Sequence, residues 1–424
     1  MCQSIVLCFV RAARSAFILV VVAFSYTDVA AMPMFARKYG MSCATCHTSS
    51  PRLNQTGYRF RAAGFRMPSQ IGKKDEESSF DILNYFSGRI QVRAEANRTR
   101  AGDTRRTSHL LMLQALEMYP FTGSWGRYLS TSFKVTFTPL LSPTYAIENA
   151  HAKVNVGNGK RFFGARVGIF HPYDGYGASD SPATISRPLI QTTSSNSNQT
   201  TFFRTWGFDQ TGVEAGFDYG KTSIRVAALN GLVLSNRGRG VTASAAQGGA
   251  LTQRSIGGGD HDGADYQVFV NHVLHPDGGG VSLQYYRGNL ALPDASTGGF
   301  FRNRFDRVGV YGSYPVARRL HLYTGYQHGR DRTAASSRFS SGGAFVEASV
   351  PVTELSAAGV RYDWVDPATG RPGNEVRAVT AYANTWFREQ FRIVAEYQHR
   401  NTRRGAVLPA QRDDAFQVRF IYIK

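Results

Sequence analysis

LSTSFKVTFT, residues Leu129–Thr138, alternates apolar and polar side chains along its length. Its apolar residues, Leu129, Phe133, Val135 and Phe137, share one face with a threonine, and the remaining serines, threonines and lysine occupy the other. A period of two indicates a β-strand with two different faces. About ten residues of this kind suffice for a tilted strand to cross the apolar layer of a membrane. The stretch therefore predicts a membrane-spanning strand.

The same alternation recurs through residues 84–424, in about sixteen segments by our count of matches to this period. An antiparallel barrel in which apolar residues face lipid and polar residues face the lumen gives this pattern. Clear examples are 163–169, 213–219, 224–228, 268–270, 320–326, 360–364, 393–397 and the C-terminal 416–422.

The connections between these segments give a second, independent signal. Counted from a first strand near Tyr85, the links after even-numbered strands are short, at 156–159, 218–221, 275–278 and 315–318, and those after odd-numbered strands are long, at 171–201, 231–263, 288–303 and 328–341. Outer-membrane barrels show this alternation of periplasmic turns and outer loops, whereas soluble sandwiches and propellers do not require it. We therefore predict an all-β transmembrane barrel of about sixteen antiparallel strands. Its even strand count places both ends in the periplasm.

Residues 1–31 resemble an export signal. Arg11 and Arg14 precede an apolar core, and Val29-Ala30-Ala31 forms a cleavage site of small residues. The apolar core is too short to span a bilayer as a helix. Two of the four cysteines, Cys2 and Cys8, fall within this signal. Export excludes a cytoplasmic role, and with the barrel it predicts a location in the bacterial outer membrane.

The charge of the chain is strongly basic. The formal net charge of +19 falls to +18 when the signal, with its own +1, is removed. Nucleic acid is a poor partner for an exported protein. Lipopolysaccharide phosphates, an anion-favouring pore, acidic periplasmic partners or simply solvated arginines explain the excess better.

The mature chain keeps two cysteines, in Cys43-Ala44-Thr45-Cys46-His47. This spacing is the attachment signature of a c-type haem: two thiols on one helical turn add to the two vinyl groups, and the next histidine is the proximal iron ligand. A zinc site would need a second pair of ligands, and a thioredoxin-type pair would need a βαβ context. A structural disulfide or a chance match is the remaining alternative. We predict one haem c, held by Cys43 and Cys46 through thioethers and by His47 at the iron.

Residues 32–68 predict a small α-helical segment around this motif. Pro33 begins a helix that Gly40 ends, and Ser50-Pro51 is an N-cap and N1 pair for a second helix that Gly64 ends. About forty residues cannot enclose a haem alone, so the segment should dock onto the barrel as a plug. Residues 69–83 are polar and form a linker. Six basic residues could pair with the haem propionates: Arg37, Lys38, Arg52, Arg59, Arg61 and Arg66.

These motifs together resemble a known family. Phe35-Ala36-Arg37, the haem motif, and the spaced Pro51, Leu53, Asn54, Gly57, Phe60, Gly64 and Phe65, ahead of a barrel pattern, are similar to the outer-membrane monohaem cytochrome–porin fusions of iron-oxidising bacteria. The resemblance implies a haem plug at the periplasmic end of a sixteen-stranded porin. It also implies that electrons pass from an extracellular donor, Fe(II) in that family, to a periplasmic c-type cytochrome. Cys43, Cys46 and His47 carry over residue by residue.

The sixth iron ligand has several candidates. Met67 follows His47 by about twenty residues and could return over the distal face, where methionine raises the reduction potential relative to histidine. Met34 is a weaker candidate, and His109 represents the histidines of the lumen. Outside the membrane, Asp260-His261-Asp262 with Asp265 offers hard-metal ligands for an iron contact, although the adjacent glycines equally favour a turn.

Three functions fit this sequence. The first is electron transfer across the outer membrane, in which the protein acts as a carrier or as an Fe(II) oxidase. The second is a transport porin whose haem senses redox state or gates the pore. The third is a haem enzyme such as a peroxidase, which requires an open sixth position.

Overall fold

The computed structural model describes residues 33–49, 51–73, 84–138, 144–173, 183–192, 210–230, 264–293, 300–317, 319–332, 338–353, 355–369, 375–387, 390–403 and 410–424. The predicted signal at 1–31 lies outside these ranges. The chain forms a closed antiparallel barrel of sixteen long strands, as the alternation predicted. Within the described ranges, no helix has the length and apolar character needed to cross a membrane.

The elements follow one another in chain order. Helix α1 (Pro33–Tyr39), a 3-10 turn (Cys43–Thr45), strands β1 (His47–Ser49) and β2 (Arg52–Leu53), helix α2 (Gln55–Ala62) and a second 3-10 turn (Pro68–Gln70) precede the barrel. The long strands are β3 (Ser87–Ala101), β4 (Thr104–Tyr119), β6 (Leu129–Thr138), β7 (Thr144–Gly157), β8 (Arg161–Phe170), β9 (Gln210–Tyr219), β10 (Thr222–Leu229), β11 (Asp265–His275), β12 (Gly279–Pro293), β13 (Phe300–Ala317), β14 (Leu320–Arg332), β15 (Arg338–Pro351), β16 (Ser356–Thr369), β17 (Val376–Phe387), β18 (Phe391–Thr402) and β19 (Gln411–Ile423). The short β5 (Gly123–Trp125) pairs beside β6, and helix α3 (Leu189–Thr192) lies between β8 and β9.

The last strand closes the barrel on the first. Strand β19 pairs antiparallel with β3, with Phe420 opposite Val92. Gly88 and Lys424 exchange backbone hydrogen bonds of 2.8 and 2.9 Å. No strand edge is left open at this seam, because every ladder position there has a partner. The C-terminal alternation was therefore correctly interpreted as the closing strand.

In the barrel, apolar side chains lie on the outer surface and charged side chains lie inside, which is the reverse of a soluble protein. On β10, Ile224 and Val226 are 42% and 51% exposed, whereas Arg225 is only 4% exposed. Arg225 pairs with Asp218 across the strand interface. Apolar residues facing outward and charged residues facing the lumen are the mark of a transmembrane barrel.

The short links are confirmed, and the long links are only partly correct. Turns join β7 to β8, β9 to β10, β11 to β12 and β13 to β14, as predicted, and long connections separate β8 from β9 and β10 from β11. The predicted loops at 288–303 and 328–341 are wrong, because β12 and β14 continue to Pro293 and Arg332. A strand continues as long as its backbone hydrogen bonds to the neighbouring strand continue, even where its side chains are polar. The alternation of apolar and polar residues therefore underestimates the length of these strands. The first odd link is also short, a turn at Gly102 with a φ of +56°.

Residues 33–49 and 51–73, which we call the plug, lie inside the barrel at the end where the short turns are. Gln55 N donates to Pro276 O at 3.0 Å, in the turn after β11. The side chain of Arg59 binds the carbonyl of Gly159, in the turn after β7. Lys153 on the wall donates to the carbonyl of Ala62. The plug is thus attached to several sides of the barrel.

The helices of the plug differ in part from the prediction. Helix α1 begins at Pro33 and is followed by Gly40 with a φ of +59°, as predicted. The second helix begins four residues later than predicted, because the N-cap is Asn54, whose side chain accepts from Gly57 N at 3.0 Å, and not Ser50. Pro51 instead lies in the turn between β1 and β2.

A second segment, residues 183–192, also lies in the lumen. Leu189 N donates to Asp363 Oδ1 at 3.0 Å, and Ile185 N donates to Glu396 Oε2 at 2.7 Å. The side chain of Ile190 is fully buried against aromatic and aliphatic residues of the wall. The plug and this segment therefore both fill part of the lumen, and they contact paired residues of neighbouring strands, Glu347 and Arg361.

Candidate functional site

The haem motif lies on a tight turn and not on an α-helix. Cys43–Thr45 form a single 3-10 turn, closed by Cys46 N donating to Cys43 O at 3.1 Å. His47 then begins β1 and pairs with Leu53 of β2. The predicted helical turn is thus a 3-10 turn followed by a hairpin. Cys43 and Cys46 are free cysteines and do not form a disulfide.

One cavity brings the three motif residues together with the barrel wall. Its volume is about 220 Å³, more than ten times the roughly 15 Å³ that a single water needs, so it is large enough for an organic ligand. The plug contributes Cys43, Cys46 and His47. The wall contributes polar, basic and aromatic residues, among them Arg89, Tyr119, Asn149, His151, Lys153, Arg166, His171, Tyr173, Trp386 and Arg392.

The plug side of the cavity is mainly apolar. Phe35 stacks on Phe65, with ring centroids 5.0 Å apart, and meets Phe60 edge to face at 5.2 Å. Gly57 packs so closely on the motif that a Cβ there would collide with the carbonyl of Cys46 and with Leu53. The predicted glycine of α2 therefore lets the helix approach the haem motif itself.

The charged lining of the cavity is entirely positive within the described part of the chain. Arg61, Arg89, Lys153, Arg166 and Arg392 line it, and no carboxylate does. Two of these cations pair with wall carboxylates away from the cavity, Arg89 with Glu117 and Arg166 with Glu214.

Lys153 and Arg392 bond to neutral oxygens, and Arg61 has a guanidinium nitrogen available to a ligand. Its Nη1 is buried and has no hydrogen-bond partner among the described residues. A haem c fits this donor set, because it needs two thiols, an imidazole, apolar walls and cations for its two propionates.

The protonation states of the motif suit attachment and ligation. Burial lowers the pKa of His47 to about 4, against the opposing effect of backbone hydrogen bonding to Pro51 and Arg52. The ring is therefore neutral at physiological pH, which is the form that ligates iron. Burial also raises the pKa of Cys46, so this residue is a thiol.

The fold is similar to that of several solved porins. The anion-selective porin from Comamonas acidovorans is 10% identical, with a TM-score of 0.54 over 80% of this chain and 99% of that chain. The outer membrane channel DcaP of Acinetobacter baumannii is 10% identical, with a TM-score of 0.52 over 80% of this chain and 97% of that chain. OprB of Pseudomonas putida is 11% identical, with a TM-score of 0.50 over 80% of this chain and 94% of that chain. The barrel is of the porin type. No family model and no curated protein matches the chain, and at these identities the likeness concerns the fold alone.

The other predicted site residues lie elsewhere in the porin-type barrel. Met67 is the N-cap of the second 3-10 turn and does not line the cavity. Met34 is fully buried and does not line the cavity either. His109 lies on an exposed part of β4. The predicted iron contact at 260–262 falls outside the described residues, and Asp265 accepts from Tyr286 at 2.7 Å inside the barrel.

His151 and His171 also line the cavity, and neither was predicted from the sequence. His151 shares its inward-facing side of β7 with Lys153 and Asn155, at a spacing of two, and both of these are buried. That spacing was visible in the sequence. The closeness of His151 to the haem motif was not visible, because about a hundred residues separate the two in the chain.

We expect Gly64→Ala to loosen the plug. Gly64 has a φ of +70°, and a Cβ would strike the side chains of Ser130 and Asn155 on the wall. The left-handed conformation alone costs about 1–2 kcal/mol for alanine, so hydrogen exchange of the plug should quicken roughly 5- to 30-fold. Gly88→Ala is the matched control, because Gly88 has open space around its Cβ position and an ordinary φ. Equal exchange in both variants would contradict the predicted contact.

Proposed function

We propose that this protein transfers electrons across the bacterial outer membrane through one covalently bound haem c in its barrel lumen. The observation that carries the proposal is that Cys43, Cys46 and His47 face a cavity shared with the barrel wall, whose charged lining residues are all cations among the described residues. The chain takes electrons from an extracellular donor, for which Fe(II) is the candidate, and delivers them to a periplasmic c-type cytochrome. It is then a member of the cytochrome–porin fusions that its N-terminal motifs resemble.

Different residues of the chain would hold different parts of the haem. Cys43 and Cys46 supply the thioether sulfurs, and the neutral ring of His47 ligates iron. Arg61, with its free Nη1, pairs with a propionate. A bound haem c supplies a one-electron couple. The plug and the segment 183–192 both occupy the lumen and would restrict the access of water and solutes to it.

The location follows from the barrel itself. Its outward apolar residues match a lipid environment, and short turns face the periplasm in outer-membrane barrels. The plug contacts those turns, which supports a haem motif near periplasmic partners. The basic net charge of the chain suits lipopolysaccharide phosphates as partners.

The test is haem reduction in sealed proteoliposomes that contain the full chain, with Fe(II) added only outside. We expect the absorbance of reduced haem to appear in those molecules whose loops face outward, and an enclosed cytochrome c to be reduced in turn. Orientation is measured by protease protection, and a membrane-permeable reductant provides the total haem. If correctly oriented protein is not reduced by Fe(II) but is reduced by the permeable reductant, iron is not the donor.

We expect Arg61→Gln to lower the reduction potential of the haem. Removing a buried cation next to the cavity favours the oxidised form, which carries one more positive charge. The matched control is Arg59→Gln on the same helix, since Arg59 binds the carbonyl of Gly159 and does not line the cavity. Redox titration of both variants measures the difference. A larger shift in the Arg59 variant would contradict the assignment of Arg61 to a propionate.

Transport is a second candidate, favoured by the porin-type fold and by charged side chains in the lumen wall. Arg307, Arg361 and Arg392 are each fully buried inside the barrel, where Arg307 pairs with Asp331 and Arg361 with Asp363. In this case the haem senses redox state or gates the pore. Ion conductance as high as that of an open porin, with no effect of oxidation or reduction of the haem, would favour a simple pore over both haem-linked functions.

A further inference from the structure

We propose that His151, on barrel strand β7, is the distal axial ligand of the haem iron. The assignment rests on the proposed haem c and names a residue that the N-terminal motif does not contain. It makes the iron site a joint product of two parts of the molecule, since His47 belongs to the plug and His151 to the wall. Both residues line the same cavity.

The plug is docked on the strand that carries His151. Lys153, two residues along β7, donates to the carbonyl of Ala62 in α2. The absent Cβ of Gly64 leaves space for the side chain of Asn155, four residues along β7. These two contacts fix the position of the C-terminal end of α2 against β7. The inward-facing side of this strand therefore presents His151 to the cavity.

A hydrogen bond at Nδ1 orients the ring of His151 so that Nε2 can ligate iron. Nδ1 lies 3.3 Å from the carbonyl oxygen of Ile169 on the neighbouring strand. When Nδ1 donates its proton there, Nε2 keeps its lone pair. Among the described residues the ring's hydrogen bond is made through Nδ1, and Nε2 is the nitrogen available to iron. Metal-ligating histidines commonly donate their other ring N–H to a carbonyl in this way, which fixes tautomer and ring orientation.

The surroundings of His151 keep the ring in place. Phe170 meets it edge to face at 6.1 Å. The chemistry of ligation is simple: the Nε2 lone pair forms a bond to iron, and no bond breaks and no proton moves. Two imidazoles leave no open position on the iron, which excludes peroxidase-type chemistry in the resting protein.

The assignment also predicts the redox behaviour. An iron with two histidine ligands has a lower reduction potential than one with histidine and methionine. His151→Met should therefore raise the potential if methionine takes the same position. Met67 does not line the cavity and is the natural alternative to exclude.

The experiment compares spectra of the purified full chain with covalently attached haem. We expect the wild type to be six-coordinate and low-spin, with the near-infrared signature of two histidines and no carbon monoxide binding when reduced. His151→Ala should become high-spin and bind carbon monoxide, and added imidazole should restore the low-spin spectrum. His171→Ala is the matched control, because His171 lines the same cavity, and Met67→Leu is the second.

Each outcome decides one question. A wild-type spectrum of histidine and methionine, or a His151→Ala variant that stays low-spin without imidazole, overturns the assignment while the haem and the electron-transfer function stand. A high-spin His171→Ala variant beside a low-spin His151→Ala variant assigns the ligand to His171 and overturns the proposal. If the wild type carries no haem at all, the proposed function itself fails.

Discussion

Replacing Cys43 and Cys46 together by serine is expected to abolish covalent haem binding. A serine hydroxyl does not add to a vinyl group as a thiol does, so neither thioether forms. Intact mass and haem staining after denaturing electrophoresis measure the effect, and both should fall to background. Reduction by any external donor should disappear with the haem.

The barrel should still fold in this variant. Both cysteines belong to the plug, and the sixteen strands close through their own ladders. Altered electrophoretic mobility without heating, which reports a folded barrel, should be unchanged. The matched control is Ser42→Ala, because Ser42 makes no capping hydrogen bond. Covalent haem on the double serine variant would refute the motif, and loss of the folded barrel would show that attachment is needed for assembly.

The second large effect is expected from Glu347→Ala, which breaks the buried pair between the plug and β15. The Arg52 guanidinium contacts the Glu347 carboxylate and lies 3.6 Å above the ring of Tyr323. The Glu347 side chain is fully buried and also accepts from Tyr382 at 2.6 Å. Removing it takes the Glu347 carboxylate away from the buried charge of Arg52, a loss of about 3–5 kcal/mol.

That loss should appear in the plug and not in the barrel. A change of about 3 kcal/mol corresponds to roughly a hundredfold faster hydrogen exchange of residues 33–73. Ion conductance through the barrel should rise for the same reason. The control is Glu375→Ala, because Glu375 pairs with Arg377 at 2.7 Å at a site where the arginine side chain is 42% exposed. An exposed pair contributes at most about 1 kcal/mol, so equal effects of the two variants would contradict the anchoring role of Glu347.

The strands could be predicted because their cause is local. Ile224 faces lipid and Arg225 faces the lumen as a direct result of the two-residue period of a strand, and that period is visible in the sequence. Strand ends were predicted less well. Asn303 continues to pair with Leu290 beyond the expected end of the strand, because the ladder depends on the neighbouring backbone and not on side-chain polarity.

The start of the second plug helix illustrates the same limit. Ser50 and Asn54 are both good N-cap residues, and the sequence does not rank them. Asn54 prevails because its side chain also donates to the carbonyls of Ala44 and Thr45 in the haem motif, at 3.1 and 3.2 Å. A contact between two segments thus decided a local choice.

The sequence by itself determined the barrel and the three haem-motif residues, Cys43, Cys46 and His47, because both follow from spacing over a few neighbouring positions. Only the tertiary structure decided what surrounds that motif. His151 and Lys153 reach it through the docking of the plug on β7, and Glu347 holds the plug from β15. These residues lie about one hundred to three hundred positions from the motif. Barrel closure and strand register bring them together, and neither is encoded by any short pattern.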